Sequence, residues 1–258
     1  RNTSNETATT PSGELTPMST DLLDPAAVKA DFPLLQQEVN GGPLTYLDSG
    51  ATSQKPQVVL DSLAGYYEEI NANVHRGAYH IAERATTAME DARRAVQRFI
   101  GAPSEREVLF TKNAPASINL VAHSWGRNNL VNGDVVLITE LEHHANIVPW
   151  QILCEQEGAR LRVVPVSDNG ELELEEYERL LNPRTRLVAI THVSSVMGSI
   201  NPARRMIRMA RRENIPVLVD GAQAVPHFRG DVRDLDCDFY AFSGHKVLGP
   251  TGIGVLYG

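Results

Sequence analysis

From Asp24 onward the chain alternates between stretches whose apolar residues recur every three or four positions and short runs whose apolar residues are consecutive. The first kind predicts helices over Pro56–Ile70 and Ala82–Ile100, the former opening on a proline, whose missing N–H costs nothing at a helix start. The second kind predicts strands at Glu107–Thr111, Val135–Thr139, Leu161–Val166, Leu187–Thr191, Val217–Asp220 and Phe239–Phe242. Four of the intervals between these runs carry a helical pattern, as successive β–α–β units would. Runs such as Val135-Val-Leu-Ile138 and Val217-Leu-Val219 are apolar on both faces, which suits parallel strands covered by helices on each side. The expected fold class is therefore α/β, a three-layer α/β/α sandwich around a mostly parallel sheet. It takes in residues 24–258 as one large domain with its N-terminal segment. Residues 1–23 read instead as a disordered tail, since Thr, Ser, Asn and Pro dominate and apolar side chains are too few to offset the entropy of ordering.

In open sheets of this kind ligands bind beyond the carboxyl ends of the strands. Four such ends carry polar clusters: Glu140-Leu-Glu-His-His-Ala-Asn146, His192-Val-Ser-Ser195, Asp220-Gly-Ala-Gln223 and Ser243-Gly-His-Lys246. Composition narrows the ligand. A net charge of -8 with acids and bases interspersed leaves no basic face for nucleic acid. No apolar run approaches the roughly 20 residues of a membrane span, and no secretory signal is present, so a cytoplasmic protein acting on small molecules is expected. Cys154 and Cys237 are too few for a disulfide framework and too far apart for a short-spaced zinc site; both are expected to be reduced and buried. The sequence stops at Gly254-Val-Leu-Tyr-Gly258, within or just after an apolar run, from which a fragment is expected.

Lys246 follows the run Phe239–Phe242 through a tight Ser-Gly-His turn, so its amine stands at a strand end. A lysine on its own is usually a solvated surface residue, but partial desolvation favours the neutral amine that condenses with an aldehyde. Asp220 ends its own strand, where a carboxylate can keep a pyridine nitrogen protonated; a capping aspartate would look the same in isolation. Ser243 and His245 flank the lysine with a hydroxyl and an imidazole for a phosphate. Glu142-His143-His144 makes a poor metal site, because adjacent histidines diverge and no further ligand is suitably spaced; stacking of one imidazole on a ring fits better.

Six blocks carry a family resemblance: Tyr46-Leu-Asp-Ser-Gly-Ala-Thr-Ser53, Val74-His-Arg-Gly77, Glu142-His-His-Ala-Asn-Ile-Val-Pro-Trp150, Thr191-His-Val-Ser194, Val219-Asp-Gly-Ala-Gln-Ala224 and Asp236-Cys-Asp-Phe-Tyr-Ala-Phe-Ser-Gly-His-Lys246. From about Asp31 to Gly258 the chain resembles the SufS-type cysteine desulfurases, in the class V aminotransferase group of fold type I pyridoxal-phosphate (PLP) enzymes. The resemblance implies that the chain is the large PLP-binding domain without its small C-terminal domain. It implies Lys246 as the Schiff-base lysine, Asp220 as partner of the pyridine nitrogen, Gln223 as donor to the ring hydroxyl and His143 as the stacked imidazole. Ser243 and His245 would hold the phosphate, with Asn113, Ala114 and Pro115 at the turn before the next helix. Ala51, His75 and Arg76 fall on the substrate side.

The implied reaction takes sulfur from L-cysteine, leaving L-alanine and a persulfide on an enzyme cysteine, for a sulfur-acceptor protein in iron–sulfur cluster assembly, in a homodimer. The family's nucleophilic cysteine lies on a loop well past the Schiff-base lysine, beyond this sequence, so the chain alone is expected to be inactive. Two positions depart from the pattern. Pro115 stands in Thr111-Lys-Asn-Ala-Pro-Ala-Ser117 where the family has threonine, although N–H groups at that helix start still favour an anion. Ser195 replaces an asparagine that reaches the ring hydroxyl or substrate. Selenocysteine lyase, another class V lyase and a non-catalytic scaffold are the competing readings. The cluster Arg204, Arg205, Arg208, Arg211 and Arg212 reads as the wet face of a helix.

Overall fold

A computed structural model describes residues 23–258. The expected tail therefore lies, Leu23 apart, outside the described residues. Seven strands form the main sheet: β1 Val108–Thr111, β2 Val135–Thr139, β3 Arg160–Val164, β4 Thr185–Thr191, β5 Val217–Asp220, β6 Phe239–Ser243 and β7 Gly254–Tyr257. Their order is β1-β7-β6-β5-β4-β2-β3, and β7 alone runs antiparallel to its neighbours. Its direction follows from the short connection 244–253, since a parallel return needs a crossover of about a dozen residues or more. The pattern of the sequence located the other six strands but left Gly254–Tyr257 as an unassigned apolar run.

Successive strand residues alternate between two cores, as a pleat with period two requires. Leu137, Val188, Ile190, Val217 and Val219 pack on one face with helices α2 (His80–Ile100), α5 (Leu174–Leu180) and α6 (Ala203–Arg212), through Ile100, Tyr177, Met206 and Ile207. Val136, Ile138, Leu187, Ala189 and Leu218 pack on the other with α3 (Ala114–Val121) and α4 (Val148–Glu157), through Ile118, Val121, Trp150 and Leu153. Helix, sheet and helix thus make the three layers expected. No helix among the described residues is long and apolar enough to cross a membrane.

Two boundaries differ from expectation for backbone reasons. Helix α1 spans Gln57–Gly65 with Pro56 just outside it in extended conformation, and Tyr66–Ile70 continues in wider i→i+5 turns. Strand β3 ends at Val164, because Pro165 has no N–H for the ladder; Val166 makes only an isolated bridge to Leu172. On α6, Arg204 and Arg211 pair with Asp234, Asp236 and Asp238 across the surface while Met206, Ile207 and Ala210 are buried.

Candidate active site

Strands β4 and β5 end side by side, with Thr191 beside Asp220, and β6 runs two residues further, Asp220 lying beside Ala241 and the strand closing at Ser243. Beyond that edge lies an open cavity of about 340 Å³ into which Asp220 and Lys246 both face. Asp220 is buried at 5% exposure and its Oδ1 accepts the Ala222 N–H at 2.9 Å. Burial pushes its carboxyl above the usual range, opposed by that N–H and by the nearby Lys246 and His143. The residue after it must be glycine, since a Cβ at Gly221 would meet Tyr240 Cζ at 2.2 Å.

Lys246 closes a single tight turn, Gly244–Lys246, pinned by Val247 N–H and Gly249 N–H donating to the Gly244 carbonyl at 3.0 and 2.9 Å. Desolvation lowers its pKa, and Asp220 works against that effect. An amine with a raised neutral fraction and a buried carboxylate therefore share one cavity wall. His143 also lines the cavity, and its Nδ1 accepts the Ala145 N–H at 3.1 Å, so the neutral ring carries its proton on Nε2. The neighbouring His144 ring stands 6.3 Å away, nearly perpendicular. Gln223 lines the cavity as well, while its Nε2 donates to the Gly50 carbonyl at 2.8 Å.

At the end expected to take an anion, the start of α3 departs from expectation. Its first N–H groups are committed: Ala114 N–H donates to Ser243 Oγ at 2.9 Å, Pro115 has none, and Ala116 N–H donates to Asn113 Oδ1 at 2.8 Å. Asn113 is thus spent on capping its own helix and, unlike Ala114 and Pro115, does not line the cavity. The Ser243 hydroxyl, having accepted from Ala114, keeps its proton to donate. His245 lines the same wall with Nδ1 3.2 Å from Thr52 Oγ1.

Ser195, expected at the cofactor, lines the cavity, and so does Ala51 of the residues placed on the substrate side by resemblance. His75 and Arg76 do not. His75 has φ +62°, which turns the chain so that its Nε2 meets Glu90 Oε1 at 3.2 Å on α2, and Arg76 is exposed. Thr191, Val193, Ala145 and Ala222 complete the lining without having been assigned roles; Thr191 could be found from its place at the end of a central strand. Glu142 was missed as a structural acid. It is buried and accepts from Thr139 Oγ1 at 2.6 Å, Thr191 N–H at 2.8 Å and Asn146 Nδ2 at 2.7 Å, while desolvation pushes its carboxyl up to about 8. Cys154 and Cys237 are free and buried, with thiols pushed by desolvation up to about 11 and about 12.

A family model described as Aminotransferase class-V matches residues 45–258. The chain is 55% identical over 231 residues to the cysteine desulfurase of Synechococcus elongatus, covering 90% of this chain and 37% of that protein. It is 56% identical over 230 residues to the cysteine desulfurase of Salmonella dublin, covering 89% and 57%. Among solved structures, the cysteine desulfurase CsdA of Escherichia coli superposes with a TM-score of 0.82 at 40% identity, over 92% of this chain and 58% of that one. The apo cysteine desulfurase of Thermococcus onnurineus does so with 0.84 at 39%, over 90% and 56%. The chain therefore spans between about a third and three fifths of the length of these relatives.

Proposed function

The chain belongs to the class V aminotransferase family, and on that footing we propose that the protein is a PLP-dependent cysteine desulfurase, converting L-cysteine to L-alanine and passing the sulfur to an acceptor protein. The observation that carries this reading is the shared cavity of Lys246 and Asp220 at the strand ends. The residues present fit the cofactor. A buried carboxylate with one oxygen committed to Ala222 suits a protonated ring nitrogen, and a desolvated amine suits an aldehyde. The Ser243 hydroxyl and His245 suit a phosphate, with less help from α3 than expected.

Bound PLP supplies the aldehyde and an electron-withdrawing ring. The chain supplies the rest. Asp220 would hold a proton at the ring nitrogen, and His143, which lines the same cavity, would offer its imidazole to the ring. Lys246 Nζ would be the base that takes the proton from the substrate Cα. A thiolate would then attack the substrate sulfur, an S–S bond forming as the Cβ–S bond breaks and the electron pair left on carbon taking up a proton to give alanine. That thiolate is neither Cys154 nor Cys237, since both are buried with thiols held protonated far above neutral pH. The attacking thiol has to be kept reduced between turnovers, which a reducing compartment does, so the proposal includes the cytoplasm, and delivery to iron–sulfur cluster assembly by a homodimer.

The full-length protein supplied with PLP should be yellow, borohydride should fix the cofactor to Lys246 in a peptide map, and Lys246→Ala should abolish both. Alanine and sulfide should form from L-cysteine in the presence of reductant. A protein left colourless by ample PLP would instead favour the scaffold reading, which the committed N–H groups of α3 support. Competition with selenocysteine separates the two lyase activities.

A further inference from the structure

The carbonyl oxygen of His245, immediately before Lys246, is the meeting point of a segment 190 to 193 positions earlier in the chain. Ser53 reaches it twice, with its backbone N–H at 2.9 Å and with Oγ at 3.0 Å; Thr52 Oγ1 and Lys55 Nζ each lie at 3.2 Å. A carbonyl oxygen offers two lone pairs, so these donors share it and the tie survives a small displacement of any one of them. The same Ser53 Oγ accepts the Leu248 N–H at 2.9 Å. Leu248 has φ +66°, in the left-handed region that a branched side chain enters at a cost and keeps only where its surroundings fix it. Lys55 Nζ also donates to the Ser53 carbonyl, and Ser53 is buried. Lys246 therefore sits inside a turn whose two ends, the His245 carbonyl and the Leu248 N–H, are tied to one serine.

We propose that Ser53 and Lys55 are positioning residues for Lys246, bracing the turn from Gly244 to Leu248 so that the amine enters the cavity at a fixed place. The assignment rests on the reading of Lys246 as the cofactor-bearing residue. Neither Ser53 nor Lys55 lines the cavity, so both act through the turn and not on the substrate.

The test compares the full-length protein with its Ser53→Ala, Lys55→Met and Lys55→Arg variants. Amide hydrogen exchange of a peptide spanning 244–249, measured with and without PLP, should accelerate by at least about 10-fold in Ser53→Ala and Lys55→Met while the strands keep their protection. With L-cysteine, kcat should fall by about 10- to 100-fold and KM change by less than about twofold, as for a misplaced reactive group. The pH midpoint of the cofactor absorption band should move as well, and Lys55→Arg should recover most of each effect. Unaltered exchange and kcat in both variants overturn the brace, and so does exchange that rises equally in the strands, which would mark a merely structural role. Absence of a borohydride-fixed adduct on Lys246 in the unsubstituted protein defeats the reading of the site itself and this role with it; an adduct with unaltered variants defeats the brace alone.

Discussion

Pro115 lines the cavity together with Ser243 and His245, the residues proposed for the phosphate, and it brings neither an N–H nor a hydroxyl. Pro115→Thr returns both. One added hydrogen bond, about 0.5–1.5 kcal/mol, should tighten PLP binding by roughly 2- to 10-fold, read by fluorescence titration of the cofactor-free protein. Unchanged affinity would mean that the phosphate is held elsewhere. Asp220 and Ser243 were legible in the sequence because each closes an apolar run, and Lys246 because it follows one through a three-residue turn, and strand ends of such a sheet gather at one edge. Residues joined to the site only by tertiary contact were not. Ser53 and Lys55 reach His245 across 192 and 190 positions, and no periodicity connects them. His75 and Arg76 show the converse: their block resembles the family's, but a left-handed backbone at His75 directs it to Glu90 and away from the cavity. Asn113 fell outside the lining because capping α3 claims its side chain.

Elements place these residues, and β7 meets the start of α3 backbone to backbone. A Cβ at Gly254 would stand 2.4 Å from Asn113 Cα, and backbone cannot give way as a flexible side chain would. Gly254→Ala should therefore destabilise the protein by about 1–3 kcal/mol, seen as a lowered urea midpoint, and should loosen the Ala114–Ser243 hydrogen bond behind the cavity. A variant as stable as the parent would show that α3 can shift at little cost. The parallel strands were readable because burial on both faces leaves a continuous apolar signature, as in Val135–Thr139 and Val217–Asp220, whose bounds match. The placement of β7 between β1 and β6 was not readable, since it depends on the sheet it enters. Nor was the early end of β3, where a missing N–H at Pro165 outweighs the apolar pattern that continues to Val166.

For the molecule as a whole, Glu142 couples stability to pH. Its folded-state value of about 8 lies above the ordinary carboxylate value of about 4.3, so folding takes up a proton between the two. Stability should therefore fall as pH rises through that window, and Glu142→Gln should flatten the profile. Urea midpoints at pH values of about 5, 6.5 and 8 measure it. Equal slopes in both proteins would mean that the three donors keep the acid ionised. The sheet order has a consequence during synthesis. Among the described residues strand β1 has its sole in-sheet neighbour in β7, over a hundred residues later in the chain. A ribosome adding about 5–20 residues per second leaves that seam unzipped for on the order of ten seconds. Throughout that interval the nascent polypeptide shows a raw strand edge, and this is where a co-translational chaperone has most to shield.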